Sequence, residues 1–371
     1  MENQILLSEG DDWQAILTFL PHGWEEKAKE LGALSRRRNF DGPEALLRVL
    51  LIHLVQGCSL RVTAALSKAG GLASASDVAL LKRLKASGEW MRWMAVELMK
   101  QWFGKQPEKI LGMGRTVRVV DGSTVSEPGS TGTTWKIHYS IQLPSLQCDE
   151  VYVTDPKTGE DLKNFNVHPG DVFLADRGYY HRTGMLHVVK GGGDLIVRMI
   201  HQYKLYDING QEFGLIKNLR SLTVNQIGDW DAFIHHKKEV ISGRVCAIKK
   251  SKEAAEKAKR AILRENSKKG HKTKPETLVA AEYVFVFTTL SREWKASQVL
   301  EAYRGRWQVE LAFKRLKSLI GLGHLKKTDF EGAKAWLHGK IFAAFLVEAM
   351  IAACDSFSPW GYEIQAAAEA T

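Results

Sequence analysis

Two β-type runs that each stop at an aspartate constrain the fold of this chain more than any other feature. Val117-Arg118-Val119-Val120 leads into Asp121-Gly122-Ser123, and Val172-Phe173-Leu174-Ala175 leads into Asp176-Arg177-Gly178. β-Branched and aromatic residues followed by an Asp and a nearby Gly read as strands that end at a turn. Short apolar runs recur at 117–120, 135–143, 150–153, 172–175 and 195–198, with helical segments expected over 161–166 and 181–188. The pattern predicts an α/β sheet with a carboxylate at the end of two of its strands. A strand-end aspartate is often only a turn former, so the pair acquires meaning only beside a third group.

That third group lies in Tyr303-Arg304-Gly305-Arg306-Trp307-Gln308-Val309-Glu310 and its continuation to Lys317. On one helix turning about 100° per residue, Tyr303, Arg306, Glu310 and Lys317 fall in a single stripe about 21 Å long. Leu300, Trp307, Leu311 and Phe313 are expected to anchor the same helix in a core. A lone carboxylate between two cations suits a site that takes metal and phosphate together, whereas a solvated face with weak ion pairs is the ordinary alternative.

Cleavage and transfer of a phosphodiester require charge to be stabilised on both the attacking and the departing oxygen. Two Mg2+ ions held by hard oxygen ligands meet that need. Asp121, Asp176 and Glu310 are the candidate ligands and catalytic residues, for two Mg2+ ions with Mn2+ an acceptable substitute. The His and Cys residues show no clustered ligand spacing, which argues against zinc.

These residues resemble the DDE transposases of bacterial insertion sequences, in the subgroup with a Y-x2-R-x3-E-x6-K signature. Tyr303, Arg306, Glu310 and Lys317 match every position of it. Val119-Val120-Asp121-Gly122-Ser123 and Leu174-Ala175-Asp176-Arg177-Gly178-Tyr179 are similar to the blocks around that family's two aspartates. Trp135-Lys136-Ile137-His138 resembles its second strand. The resemblance runs from about residue 110 to 350. It implies a ribonuclease-H-like mixed sheet with a β-rich insertion before the last catalytic helix, preceded by an all-helical N-terminal region. It also implies that Tyr303, Arg306 and Lys317 contact DNA near the cleaved end. The implied partners are double-stranded DNA, both the inverted repeats and the target, and a second copy of the chain in a paired-end complex. The implied activity is cut-and-paste transposition. A metal-dependent nuclease without strand transfer, and a non-catalytic DNA-binding protein derived from a transposase, are the alternatives.

A net charge of +10 over 371 residues is compatible with a polyanionic partner. Four scattered cysteines, no basic amino-terminal leader pattern and no apolar stretch long enough for a membrane fit a bacterial cytoplasmic, nucleoid-associated protein. The expected divisions are 1–108 helical and DNA-binding, 109–199 core, 200–280 β-rich insertion with a basic run over 249–274, 281–355 core with the signature helix, and 356–371 tail. Within the first, 60–68, Gly70-Gly71 and 77–85 read as a helix-turn-helix carrying Lys82, Arg83 and Lys85, or as an ordinary helical hairpin. Arg36-Arg37-Arg38 either grips phosphates or forms a solvated loop. In 200–280, short strands are expected at 205–206, 213–216, 221–224 and 230–235. Arg177 is expected to pair with a carboxylate or to touch DNA. Asp155, Glu160 and Asp171 are expected in turns and caps. Trp230 and Trp294 read as packing residues, with base stacking the other reading.

Overall fold

The computed structural model describes residues 12–36, 39–103 and 115–354, apart from 131, 133, 144, 225, 320, 323, 324, 326 and 328. Six helices open the chain: α1 (Asp12–Leu17), α2 (Trp24–Glu30), α3 (Pro43–Val55), α4 (Leu60–Ala69), α5 (Asp77–Ala86) and α6 (Gly88–Phe103). Their starts are legible chemistry. Pro43 opens α3, where its missing N–H costs nothing. The Ser59 and Ser76 hydroxyls accept from the backbone N–H groups of Val62 and Ala79, capping α4 and α5.

The α4–turn–α5 hairpin forms as expected, but its cations are mostly engaged. Arg83 donates to the carbonyls of Ala33 and Arg36, and Lys85 pairs with Asp329 at 2.7 Å. Lys82 is exposed. Of the Arg36–Arg38 run, residues 37 and 38 lie outside the described residues.

The core follows as β1 (Thr116–Val125), β2 (Trp135–Leu143), β3 (Cys148–Thr154), β4 (Asp171–Ala175), α7 (Arg182–Lys190), β5 (Asp194–Arg198), α8 (Leu215–Arg220), β6 (Ile227–His236), β7 (Glu239–Lys249), α9 (Lys252–Lys268), α10 (Pro275–Ala281), β8 (Tyr283–Thr288), α11 (Ala296–Arg304), α12 (Trp307–Leu319) and α13 (Phe330–Cys354). Eight strands form one mixed sheet in the order β3-β2-β1-β4-β5-β8-β7-β6. β1, β4 and β5 run parallel at its centre and every other pairing is antiparallel. The sheet and the helical N-terminal region are those of a ribonuclease-H-like α/β fold.

The 200–280 segment differs from its expected form. Only the 230–235 run lies in a strand; 213–216 runs into α8, and Tyr206 makes only isolated bridges. The β6–β7 hairpin extends the core sheet through β8, because the edge of β8 would otherwise present unpaired backbone groups.

Arg118 explains how the central strands are pinned. Its buried guanidinium on β1 meets Asp149 and Glu150 of β3 at 2.5 and 2.6 Å and Asp171 of β4 at 3.1 Å. Asp171 therefore holds strands together, while Asp155 holds a turn by accepting from the N–H groups of Lys157 and Thr158. α13 packs back onto α3, α5 and α6. A Cβ at Gly88 would lie 3.1 Å from the Ala335 Cβ, and one at Gly339 would lie 2.5 Å from a Leu54 methyl, so glycine permits the close crossings.

Candidate active site

The register of β1 and β4 places the two aspartates side by side. Val117 faces Val172 and Val119 faces Leu174, so two residues further on Asp121 meets Asp176. Ala175 likewise faces Val197, which aligns Asp176 with Arg198 at the end of β5. The row Asp121, Asp176, Arg198 therefore lies where β4 and β5 stop, whereas β1, expected to stop at Asp121, runs on to Val125 because it stays paired with β2. Two aspartates far apart in sequence are brought together by strand pairing alone.

The signature segment departs from the single helix expected of it. α11 ends at Arg304 and α12 begins at Trp307, so Tyr303 closes one helix, Arg306 lies in the connection, and Glu310 and Lys317 stand on the next. The turn is tightened by three-residue hydrogen bonds, Gly305 N–H to Ala302, Arg306 N–H to Tyr303 and Gln308 N–H to Gly305. A Cβ on Gly305 would lie 2.8 Å from Leu143 Cδ1 and 3.1 Å from the Ala302 carbonyl, so a side chain there would make the Leu143 methyl shift. The end of β2 makes this close approach. Val309, Phe313 and Leu316 form the buried face of α12, and the Phe313 ring lies 5.4 Å from that of Tyr139 on β2. One residue further round, Glu310, Lys314 and Lys317 face an open cleft of about 490 Å3 that they share with Asp121, Gly122 and Ser123. Trp307 is half exposed rather than an anchor.

Each group has a distinct environment. The Asp121 carboxyl is pushed up to about 6, chiefly by burial; the Gly122 N–H and Arg306 oppose the rise, while Glu160 and Asp176 add to it. Asp176 keeps one buried carboxylate oxygen without a hydrogen-bond partner. Glu310 is 57% exposed and pairs with Arg306 at 2.6 Å. Tyr303 is buried, its phenol pushed up by burial and lying in the fields of Arg306, Asp176 and Arg198. Among the described residues no three His, Cys, Asp or Glu side chains stand together as a metal set. Asp121 and Asp176 are thus neighbours, whereas Glu310 lines the same cleft but is held by Arg306. The donors are nevertheless of the right kind for a hard divalent cation, all being carboxylate oxygens, and one of them is buried and unsatisfied.

Two neighbours escaped the sequence pattern. Glu160, expected in a turn, reaches the ends of β1 and β4. A Cβ on Gly122 would lie 2.9 Å from its Cγ and Oε1, and one on Gly178 would lie 2.5 Å from its Oε2. Arg198 joins Arg177, His201 and Lys250 around a cavity of about 270 Å3. The Lys250 ammonium is pulled down by burial and then by Arg198 and Arg177. Arg177 is exposed and forms no ion pair among the described residues, so the carboxylate pairing expected of it is not made. Trp294 is buried, and Trp230 packs beside Phe213.

Over residues 112–346 the chain matches the family model of the transposase DDE domain. It belongs to the DDE transposases of bacterial insertion sequences. The chain is 34% identical over 360 residues to the putative transposase InsL of insertion sequence element IS186A from Escherichia coli K12, covering 94% of this chain and 96% of the relative. It is also 34% identical to the transposase of insertion sequence element IS421 from Escherichia coli, with the same coverage. The IS231F transposase of Bacillus thuringiensis subsp. israelensis is 24% identical, covering 88% of this chain and 76% of the relative. The transposase therefore carries the family's domain across its sheet and both signature helices. Among the described residues no helix is long and apolar enough to cross a membrane.

Proposed function

We propose that the transposase cleaves the ends of its insertion sequence and joins the 3′ ends to target DNA in a cut-and-paste reaction, with Asp121, Asp176 and Glu310 as the metal-holding carboxylates. The observation that carries this reading is the β1–β4 register that sets Asp176 beside Asp121, which opens onto the cleft that Glu310 also lines. Two Mg2+ ions, or Mn2+ in their place, supply when bound the charge stabilisation of the attacking and departing oxygens. The protein's own part is positional. β1 and β4 fix two carboxylates, and α12 brings the third across the cleft. Arg306 is the group that a DNA phosphate competes for, since a guanidinium binds phosphate as readily as carboxylate. Once a phosphate takes Arg306, Glu310 is released to join the aspartates. Lys317 lines the cleft and Tyr303 lies in the field of Asp176, so both are assigned to the path of the strand. The cationic cavity of Arg177, Arg198 and Lys250 extends that path. A pair of ends requires two active sites, hence a homodimer.

The test is cleavage and joining of a labelled duplex carrying the element's own terminal repeat, with Mg2+, with EDTA, and with Glu310→Gln. Joined products that need both metal and Glu310 support the proposal. Metal-dependent cleavage without joining makes the protein a nuclease. End binding with no metal-dependent product makes it a non-catalytic DNA-binding protein.

A further inference from the structure

Glu160 sits in the connection that follows β3, and its side chain fills the space above two glycines. Each glycine follows one of the aspartates within two residues, Gly122 after Asp121 and Gly178 after Asp176, and neither has room for a Cβ while Glu160 keeps its place. Glu160 forms no hydrogen bond or ion pair among the described residues. Of the charges acting on Asp121, Arg306 attracts, while Glu160 repels more strongly than Asp176 does. The Glu160 side chain thus lies beside the backbone that follows both aspartates, although the three carboxylates do not stand together as a ready-made metal set, and the cation that acts on Asp121, Arg306, is taken by Glu310 at 2.6 Å.

A second observation points to a ligand here. Tyr179 is wholly buried, its hydroxyl has no hydrogen-bond partner, and it lies in the fields of Asp121 and then Glu160. A buried hydroxyl without a partner is rare in folded proteins and calls for one that the protein itself does not supply. Asp176 also has a buried oxygen without a partner.

We infer that Asp121, Asp176 and Glu160 form the cation site of the DNA-free protein, with Glu160 as its third carboxylate and Glu310 joining only after Arg306 has turned to a phosphate. This rests on the metal-dependent reading above. The end of the Glu160 side chain has no partner to leave, so closing it onto an ion breaks no contact, whereas closing Glu310 must first break its ion pair. The ligand is a hard divalent cation, Mg2+ or Mn2+, because every donor is a carboxylate oxygen.

The test is calorimetric titration of Mn2+ into the full-length, DNA-free protein, with melting curves to verify folding. Even outer-shell partners of metal sites are worth about 10–100-fold in affinity, so Glu160→Gln is expected to weaken binding at least about tenfold. Gly178→Ala removes no carboxylate but pushes the Glu160 carboxylate aside, and is expected to weaken binding in the same direction. It also carries the test should Glu160→Gln not fold. Glu310→Gln is expected to stay within about twofold of wild type. The inference is overturned if Glu160→Gln and Gly178→Ala bind Mn2+ as wild type does, or if Glu310→Gln loses as much affinity as they do. Wild type that binds no Mn2+ without DNA yet cleaves DNA with metal overturns this inference and leaves the proposed function standing. Wild type that neither binds Mn2+ nor cleaves with metal overturns both.

Discussion

Acid should loosen the junction between the last helix and the amino-terminal helices, through His338. This histidine lies on α13, is 5% exposed, and its Nδ1 stands 3.1 Å from the Gly88 carbonyl at the start of α6. Its pKa is pulled down to about 4, mainly by burial; Glu89 and the Gly88 carbonyl oppose the drop, and Lys334 and Arg92 deepen it. The folded protein therefore holds the ring neutral, while the unfolded chain protonates it near 6.5. Between those values the unfolded state binds more protons, so stability is complete above about pH 6.5 and falls as the pH drops toward 4. Linkage with those two values gives a loss of about 2 kcal/mol at pH 5 from this one group. His338→Asn keeps an N–H near the position of Nδ1 and removes the titration. Urea unfolding of both proteins at pH 7.5 and pH 5 should show a smaller acid loss in the variant, by about 2 kcal/mol. His138, also held near 4 by burial, titrates in both proteins and cancels. Equal acid losses in the two, to within about 0.5 kcal/mol, would refute the assignment of a neutral buried ring.

Three further outcomes are expected. Arg118→Met leaves Asp149, Glu150 and Asp171 buried without their shared cation, and should cost about 3–5 kcal/mol in denaturant unfolding at neutral pH; a cost under about 1 kcal/mol would show that the cluster is not what pins β1 to its neighbours. Gly305→Val forces a branched side chain against Leu143, so a stability loss of about 1–3 kcal/mol and slower DNA cleavage should accompany each other, as measured by melting and by single-turnover assay. Lys317→Ala, if Lys317 meets a phosphate, should lower the slope of log affinity against log salt by about 0.9 in a DNA-binding titration, without changing which end sequence is preferred.

The strands and the chemistry they carry were legible in the sequence because β-branched and aromatic runs act over a few residues, although Gly122 does not stop β1, which stays paired with β2 to Val125. Val117 to Val120 and Val172 to Ala175 form strands for local reasons, and the carboxylates that follow them were recognisable as candidate ligands. The Y-x2-R-x3-E-x6-K spacing was equally readable as a motif. Its geometry was not. A continuous helix is the local expectation for residues 303–317, yet the chain breaks at Gly305, where Leu143, remote in sequence, packs against the backbone. The same holds for the 200–280 segment, whose β6–β7 hairpin joins the core sheet only because β8 offers a free edge.

By itself the sequence determined which residue types were present for phosphoryl chemistry and, Arg306 apart, on which kind of element each would stand. Tertiary structure decided their company. Parallel pairing of β1 with β4 made neighbours of Asp121 and Asp176, and pairing of β4 with β5 added Arg198 to the row. The connection after β3 brought Glu160 over both glycines, and the packing of α12 on β2 turned Glu310 and Lys317 toward the cleft. Electrostatics between these groups depends on distances of a few ångströms. Strand register and helix packing set those distances across segments that share no local sequence signal.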